Sequence, residues 1–579
     1  MKRFLLSLTL LVSVDCSILS QVAILDYNNI SAHVHSRGLL FNNNLLPGFE
    51  YPKGSGKHLL FSMTDWYGGR DVNNLLKMAA SDGGITTNIT GDYGSGPLSY
   101  NIATPGNINL GILGYGAANI DSATNSQYNK VWVVKKATID SFIDWSTNSP
   151  NWPGYSIPSS ILDWPAHSNP TTFDFDFYLA PFVDVDSNGV YNPSIGDFPD
   201  IKGDFCAFTI YNDKADIHYY SGSNPIGIEI RQMVYGYITD DNCPNHEVLD
   251  ATLFIERRVI NRSTQTLQNF TMGVSVDPDL GNKYDDYIGC DVGRSMAYVY
   301  NSDSIDEGGS GYGSNIPALG IVILDGLNQE PNGLDDAVGV GLNESINGSG
   351  YGNGVIDDEK LGLTAFTNLF GNNGLSNLNS AEDHFNLMIG NYTNGSTFTD
   401  PSGPTKFIYP DDSNPLGYLQ GGSVYSPWSE LNSGNLSGDR RLLASSGDCI
   451  LEPGEFHDVK LAVVVGPMKY HGVGSVESLQ ARVDTLIAIH GLSGDPCTVV
   501  GTENINKDQI NLYPNPVSHN LTIDGISKNT EIFIYDAFGK LVLSTYNNNT
   551  INVSTLKSGI YLVHLKNNNG VVTKRFVKN

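Results

Sequence analysis

Ile510-Asn511-Leu512-Tyr513-Pro514-Asn515-Pro516-Val517 opens a segment built as short apolar-alternating runs, each closed by a turn. Thr530 to Asp536 alternates polar and apolar residues, and Ala537-Phe538-Gly539-Lys540 turns the chain into Leu541-Val542-Leu543. Ser558-Gly559 introduces Ile560 to Leu565, and Asn567 to Gly570 leads into a basic run, Val571 to Lys578. Short strands at regular spacing with turn signals between them predict a small, Ig-like β-sandwich over 509–579.

The same texture runs back through the body. Val131-Trp132-Val133-Val134, Ile228 to Thr239, Ala251 to Ile260, Phe270 to Val276 and Leu442 to Val465 are β-rich, and Gly, Asn and Pro punctuate the stretches between them. With 62 Gly and 30 Tyr in 579 residues and only 16% charged residues, the chain reads as mainly β. The expected architecture is a large antiparallel β-sandwich-type body with few helices over 21–495, as one or two packed subdomains with a loop-rich 301–440. A linker at 496–508 and the C-terminal domain follow. Two helices are expected: Thr138 to Trp145, and one capped by Ser475 with the stripe Val476, Leu479, Val483, Leu486 and Ile487, ended by Gly491.

Met1-Lys2-Arg3 followed by the apolar Phe4 to Val14 reads as a signal peptide over 1–20, too short to span a bilayer. Asp15 before Cys16 is a poor lipoprotein signal. The net charge is -28; residues 508–579 carry seven Lys/Arg against four Asp/Glu and residues 1–20 a net +1, which leaves -32 on 21–507. So acidic a body argues against nucleic acid and anionic membranes as partners and is compatible with divalent cations. Beyond Cys16 there are Cys206, Cys243, Cys290, Cys449 and Cys497, an odd number. Proximity in sequence suggests Cys206–Cys243 and Cys449–Cys497.

The C-terminal segment resembles the type A C-terminal sorting domain of the type IX secretion system of Bacteroidetes. The matching pieces are Tyr513-Pro514-Asn515-Pro516, the Ile534-Tyr535-Asp536 to Gly539-Lys540 turn, Leu556 to Tyr561 with Gly559, and Lys574-Arg575-Phe576. The resemblance implies that the type IX machinery is a partner and that the body is carried across the outer membrane. The domain is then removed, and the product is released or held at the cell surface. The body is similar to a recurrent cargo type attached to such tails. That likeness rests on Pro52 to His58, Leu179 to Asp204, Asp277 to Asn282 with Asp285-Asp286, and Gly438-Asp439-Arg440-Arg441. It implies a shared fold and brings no activity.

Asp184-Val185-Asp186-Ser187-Asn188-Gly189 carries oxygen ligands at positions 1, 3 and 5 and Gly at 6, the front half of an EF-type calcium loop. Val190 would lend its carbonyl at position 7. Position 12 is Ile195, so the closing ligand must be Asp197, Asp200 or a distant residue. A second acidic group, Asp277, Asp279, Asn282, Asp285, Asp286 and Asp291, reads as a cation site, a solvated loop or a catalytic carboxylate pair, Asp277 with Asp279. Asn347 to Glu359 is a weaker acidic turn.

Other motifs fail on their residues. Gly54-Ser55-Gly56-Lys57 lacks the first Gly and the final Ser/Thr of a phosphate loop. His246-Glu247-Val248-Leu249-Asp250 lacks the second His of a zinc helix and sits among strand signals. His33 and His35 share a strand face without a third ligand. Asp65-Trp66-Tyr67-Gly68-Gly69 and Tyr425 to Trp428 offer rings for a sugar or for the core. The sequence thus favours a calcium-stabilised surface module that binds an extracellular glycan or protein, an adhesin or structural protein. The alternative is a polysaccharide or protein hydrolase using Asp277 and Asp279.

Overall fold

The computed structural model describes residues 21–81, 91–99, 118–148, 154–168, 175–339, 343–369, 378–400, 403–411, 428–469, 472–490, 496–497, 511–524, 531–536, 541–546, 549–567 and 570–579. The signal peptide, the Ala537–Lys540 turn, Tyr425–Pro427 and Gly491 lie outside them. The chain divides into two units, Met1–Asp240 with His246–Gly491, and Asp241–Asn245 with Leu492–Asn579.

The first unit is built on two antiparallel sheets. An eight-stranded sheet runs Val22–Leu25, Ser31–His35, Phe49–Glu50, His58–Arg70, Leu267–Pro278, Leu442–Leu451 and Ala365–Asn368, with Leu76–Ala79 also on His58–Arg70. A nine-stranded sheet runs Asp286–Asp291, Met296–Asn301, Leu319–Asp325, Phe456–Val465, Thr252–Asn261, Ile228–Gly236, Phe205–Asn212 and Gly94–Ser95, with Trp132–Lys135 also on Phe205–Asn212. Twice the chain leaves one sheet and enters the other after a short turn, from Thr252–Asn261 to Leu267–Pro278 and from Leu442–Leu451 to Phe456–Val465. Alternation puts Leu253, Ile255 and Val259 inward, and they share one core with Met63, Phe270, Met272, Val274 and Leu443 of the opposite sheet.

Arg257 falls in that inward apolar row and is fully buried. Its Nη2 lies 2.9 Å from Asp65 Oδ1 on the other sheet, and Tyr211 Oη donates to Asp65 Oδ2 at 2.6 Å. Arg257 Nε donates to Gln232 Oε1 at 2.9 Å. Burial pushes the Asp65 carboxyl up, opposed by Arg257 and Tyr211. Trp66 and Tyr67 beside it are completely buried, so they are core residues and offer no platform for a sugar.

Helices are few. Lys136–Asn148 contains the expected Thr138–Trp145. Gly472–His490 buries Leu479, Val483 and Leu486. It begins before Ser475, which is inside the helix and donates its Oγ to Ile316 O at 2.6 Å, so it is not the cap, and Ile487 points outward. The loop-rich region hides a helix, Ala381–Met388, closed by a capping box between Ser380 and Asp383. It buries His384, Phe385, Leu387 and Met388. Gly68 lets it approach: a Cβ there would stand 2.8 Å from the Phe385 ring. His246–Leu249 is a short helix, not a strand.

In the second unit the described tail residues form two sheets. Asn511–Tyr513, Asn520–Asp524 and Thr550–Asn552 make one, and Leu541–Tyr546, Glu531–Asp536, Gly559–Asn567 and Gly570–Lys578 the other. They share a core of Val517, Leu521, Ile523, Ile532, Ile534, Val563, Leu565 and Phe576. The disulfide is Cys243–Cys497, not either pair suggested by sequence proximity. Cys206, Cys290 and Cys449 form no disulfide among the described residues and are buried, because each sits on a sheet strand where inward packing decides its surroundings.

Candidate functional site

The calcium-type loop leaves the strand Phe182–Val183 and returns on Phe198–Pro199, and the two pair antiparallel. This pairing sets the chain ends after Val183 and before Phe198 side by side. Carboxylate oxygens of Asp184, Asp186 and Asp197 lie within 4.8 Å of one another. Ser187 and Gly189 take positive φ (58° and 78°), which curls the front of the loop inward. Asp184 Oδ2 accepts the Gly189 N–H at 2.6 Å, and this bond chiefly holds its carboxyl below the usual range. Asn188 Oδ1 accepts the Val190 N–H at 2.6 Å, and Asn188 Nδ2 donates to Asp186 Oδ2 at 2.8 Å.

Among the three closing ligands left open by the sequence, Asp197 stands with the pair. It is fully buried and accepts from Val185 N (2.9 Å) and Asn192 N (2.8 Å). Asp200 is exposed, and Ile195 at position 12 points outward. The loop therefore closes two residues later than an EF loop. Three carboxylates in this arrangement offer a hard, oxygen-only ligand set suited to calcium.

The loop belongs to a wall. Just upstream, Arg231 Nη1 donates to Tyr178 O (2.8 Å) and Leu179 O (3.3 Å), and its Nη2 to Asp176 Oδ2 (2.8 Å). Arg231 and Arg262 both bind Glu229, whose carboxyl they hold at about 2 against the effect of burial. His167 stacks on Phe177 with ring centroids 4.0 Å apart, and its Nε2 accepts the Tyr191 N–H at 2.7 Å.

The wall edges a groove of about 560 Å³ on the outer face of the nine-stranded sheet. Its floor carries Arg231, Glu256, Arg258 and Lys460, and Asp325 with His490 faces in from the other side. Arg258 forms a bidentate pair with Asp458 (2.7 and 2.8 Å). Tyr178 lines the groove and is 55% exposed. These residues were legible only as charges alternating with apolar residues, as in Ile228-Glu229-Ile230-Arg231, which marks an outward sheet face but not a groove.

The second acidic group separates. Asp277 and Asp279 meet Asp439, with carboxylate oxygens within 4.8 Å of one another. Asp291 lies at the far end of the strand Asp286–Asp291 and pairs instead with Arg294 (2.7 Å) and Gln480 (2.9 Å). Asp439 was not placed in the group by sequence, although Gly438-Asp439-Arg440-Arg441 stood out. The register Val276↔Leu442 brings that run beside Asp277. In the acidic turns at 332–359, Asp335 accepts from Gly352 and Gly354, and Asp357 from Asn332 and Gly333. No three carboxylates converge there among the described residues.

His33 and His35 bond backbone carbonyls of Gly48 and Asn42. In the tail, Tyr513, Pro514, Asn515 and Pro516 form an exposed run. Asn515 Oδ1 accepts the Val577 N–H at 2.9 Å, which ties that run to the closing strand. Tyr561 stacks on Phe576. Gly559 and Lys574 lie on paired strands, and Gly539 is outside the described residues.

Residues 511–579 match the secretion system C-terminal sorting domain family. No curated protein matches the chain in sequence. Among solved structures, a polysaccharide lyase shares 10% identity over 60% of this chain and 34% of its own, with a TM-score of 0.18. PorZ, an essential surface component of the type IX secretion system of Porphyromonas gingivalis, shares 10% over 65% of this chain and 50% of its own, at 0.13. The chain thus spans about a third and a half of these two proteins, and likenesses this slight bear on neither site nor activity. The tail makes the protein a type IX cargo, exported across the outer membrane to the cell surface or the extracellular space. No helix among the described residues is long and apolar enough to cross a membrane.

Proposed function

We propose, for a cargo whose sorting domain delivers it outside the cell, that the body is a calcium-stabilised binding module that holds an extracellular glycan in the groove beside the ion loop. The convergence of Asp184, Asp186 and Asp197 carries this reading. An ion there fixes the excursion from Asp184 to Asp197, and with it the wall that presents Tyr178 to the groove. The groove supplies an exposed ring for a sugar face and paired Arg, Lys and Glu side chains for hydroxyls, the mixture that glycan recognition uses.

The alternative is a hydrolase using Asp277 and Asp279. It requires that pair to reach a polymer, but both residues are more than nine-tenths buried. The binding reading is therefore preferred. Retention on a polysaccharide column without product favours it; release of oligosaccharide would favour the hydrolase.

The mature chain should melt a few degrees higher in calcium than in EDTA, since binding to the native state at a hundredfold over Kd adds about 2.7 kcal/mol. Asp184→Ala should remove the loop's share of that shift. A calcium response unchanged in Asp184→Ala would sink the ion-loop reading. Tyr178→Ala should weaken glycan retention roughly three- to tenfold with little change in melting, the loss of one ring contact. Retention unaffected by this substitution would place the ligand elsewhere.

A further inference from the structure

A second cluster asks for a cation independently of the loop. Asp277 is the penultimate residue of the strand Leu267–Pro278, where it faces Ser62 of His58–Arg70. Asp279 follows and is fixed by its N–H, which donates to Leu59 O at 3.2 Å. Asp439 comes in from the segment before Leu442–Leu451, the next strand of the same sheet. Three elements of one sheet end thus aim three carboxylates at one point.

The cluster is not satisfied from within. Asp277 and Asp279 are 7% and 8% exposed. Asp279 Oδ1 and Asp439 Oδ1 are buried and accept no hydrogen bond among the described residues. The charges facing them are Arg441, whose Nε is 3.1 Å from Asp277 Oδ2, and Lys283, whose Nζ is 3.2 Å from Asp439 Oδ2 and 3.9 Å from Asp279 Oδ1. Two cations against three carboxylates leave a net negative charge. Further acids stand behind it: Asp285 and the fully buried Asp286, each with one oxygen lacking a hydrogen-bond partner. Buried, mutually repelling carboxylates with open lone pairs are costly unless a cation or a proton takes them up. Burial pushes Asp277 to about 6 and Asp279 to about 7, against the pull of Arg441 and Lys283 and with some reinforcement from the neighbouring carboxylates.

Lys283 decides how a cation would enter. Its side chain is 36% exposed, on a flexible stem, and its ammonium sits between Asp279 and Asp439. We infer that Asp277, Asp279 and Asp439 form a second divalent-cation site, suited to calcium, in which the Lys283 ammonium is a displaceable occupant. Binding of calcium drives Lys283 out to solvent. The all-oxygen, carboxylate-rich set and the spread of up to 4.8 Å between ligand atoms fit calcium–oxygen distances of roughly 2.3–2.6 Å. Water completes the shell.

This site stands whether or not the Asp184 loop binds an ion, so the test uses the mature full chain carrying Asp184→Ala. Calcium is titrated calorimetrically, and folding of each variant is checked by near-ultraviolet circular dichroism. Expected is one remaining binding event, which Asp279→Asn removes. Lys283→Met should tighten it by at least roughly tenfold, because calcium no longer has to break the pairing of the Lys283 ammonium with Asp279 and Asp439. If Asp279→Asn fails to fold, the lysine variant decides alone. No heat in the Asp184→Ala chain, or an affinity unchanged or weakened by Lys283→Met, overturns the proposal.

Discussion

A chain lacking residues 508–579 is expected to lose surface display entirely and to accumulate in the periplasm as a folded body. The expectation of complete loss comes from the match of 511–579 to the sorting family. The expectation of a folded body comes from packing. The tail's sheets and core use only residues from 511 onward, and every strand of the two large sheets lies between Val22 and Val465. The cut removes one complete core and opens none of the other. Cys497 stays in the truncated chain, so the Cys243–Cys497 disulfide can still form. Fractionation and protease treatment of intact cells would measure this. Wild-type surface exposure of the truncated chain would refute the sorting assignment, whereas a protease-sensitive periplasmic body would refute the separation of cores. A milder form of the same experiment is Phe576→Ala, which opens the tail core and should reduce export by costing the tail about 3–5 kcal/mol.

Arg257→Met is expected to destabilise the body by about 3–5 kcal/mol, the cost of leaving the buried Asp65 carboxyl without its cation and with the Tyr211 hydroxyl as a remaining hydrogen-bond donor. The pair itself is a poor stabiliser, since removing two ions from water costs nearly what their attraction returns. Asp65→Leu combined with Arg257→Met should therefore recover most of the loss, and the difference between single and double variants measures the coupling. Denaturant midpoints of the mature chain supply the numbers. A single variant as stable as the parent would mean that water or a rearranged Gln232 compensates the carboxylate.

What could be read in advance follows the range of the forces involved. Strand alternation and turn chemistry act over a few residues, so the mainly β class and the runs at Ile228, Ala251 and Phe270 were visible. The turn that gathers Asp184, Asp186, Asn188 and Gly189 was visible for the same reason, since all four lie within six residues. That Asp197 joins them, rather than Asp200, was not, because Asp197 is placed by the pairing of Phe182–Val183 with Phe198–Pro199. The Cys243–Cys497 bridge joins two turns 254 residues apart, and the Asp65–Arg257 pair and Asp439 beside Asp277 join residues that only sheet order brings together. Neither charge pattern nor spacing encodes that order. Ser475 fails differently: a good capping residue was used inside a helix because Ile316 O offered its hydroxyl a buried partner.

The interleaving of the eight-stranded sheet also bears on timing. His58–Arg70 has short local partners, Phe49–Glu50 and Leu76–Ala79, along one edge. Its other edge finds a partner only in Leu267–Pro278, with Asp65 opposite Val274, and that strand waits in turn for Leu442–Leu451. A chain emerging from its N-terminus therefore exposes a long strand edge until some two hundred further residues have followed, and cannot close the sandwich until the last large-sheet strand appears. Folding dominated by such distant pairings is slow. Slowness of this kind keeps a newly translocated chain open to aggregation and dependent on holding factors. The body's architecture thus fixes a delay between arrival in the periplasm and readiness for the outer-membrane step.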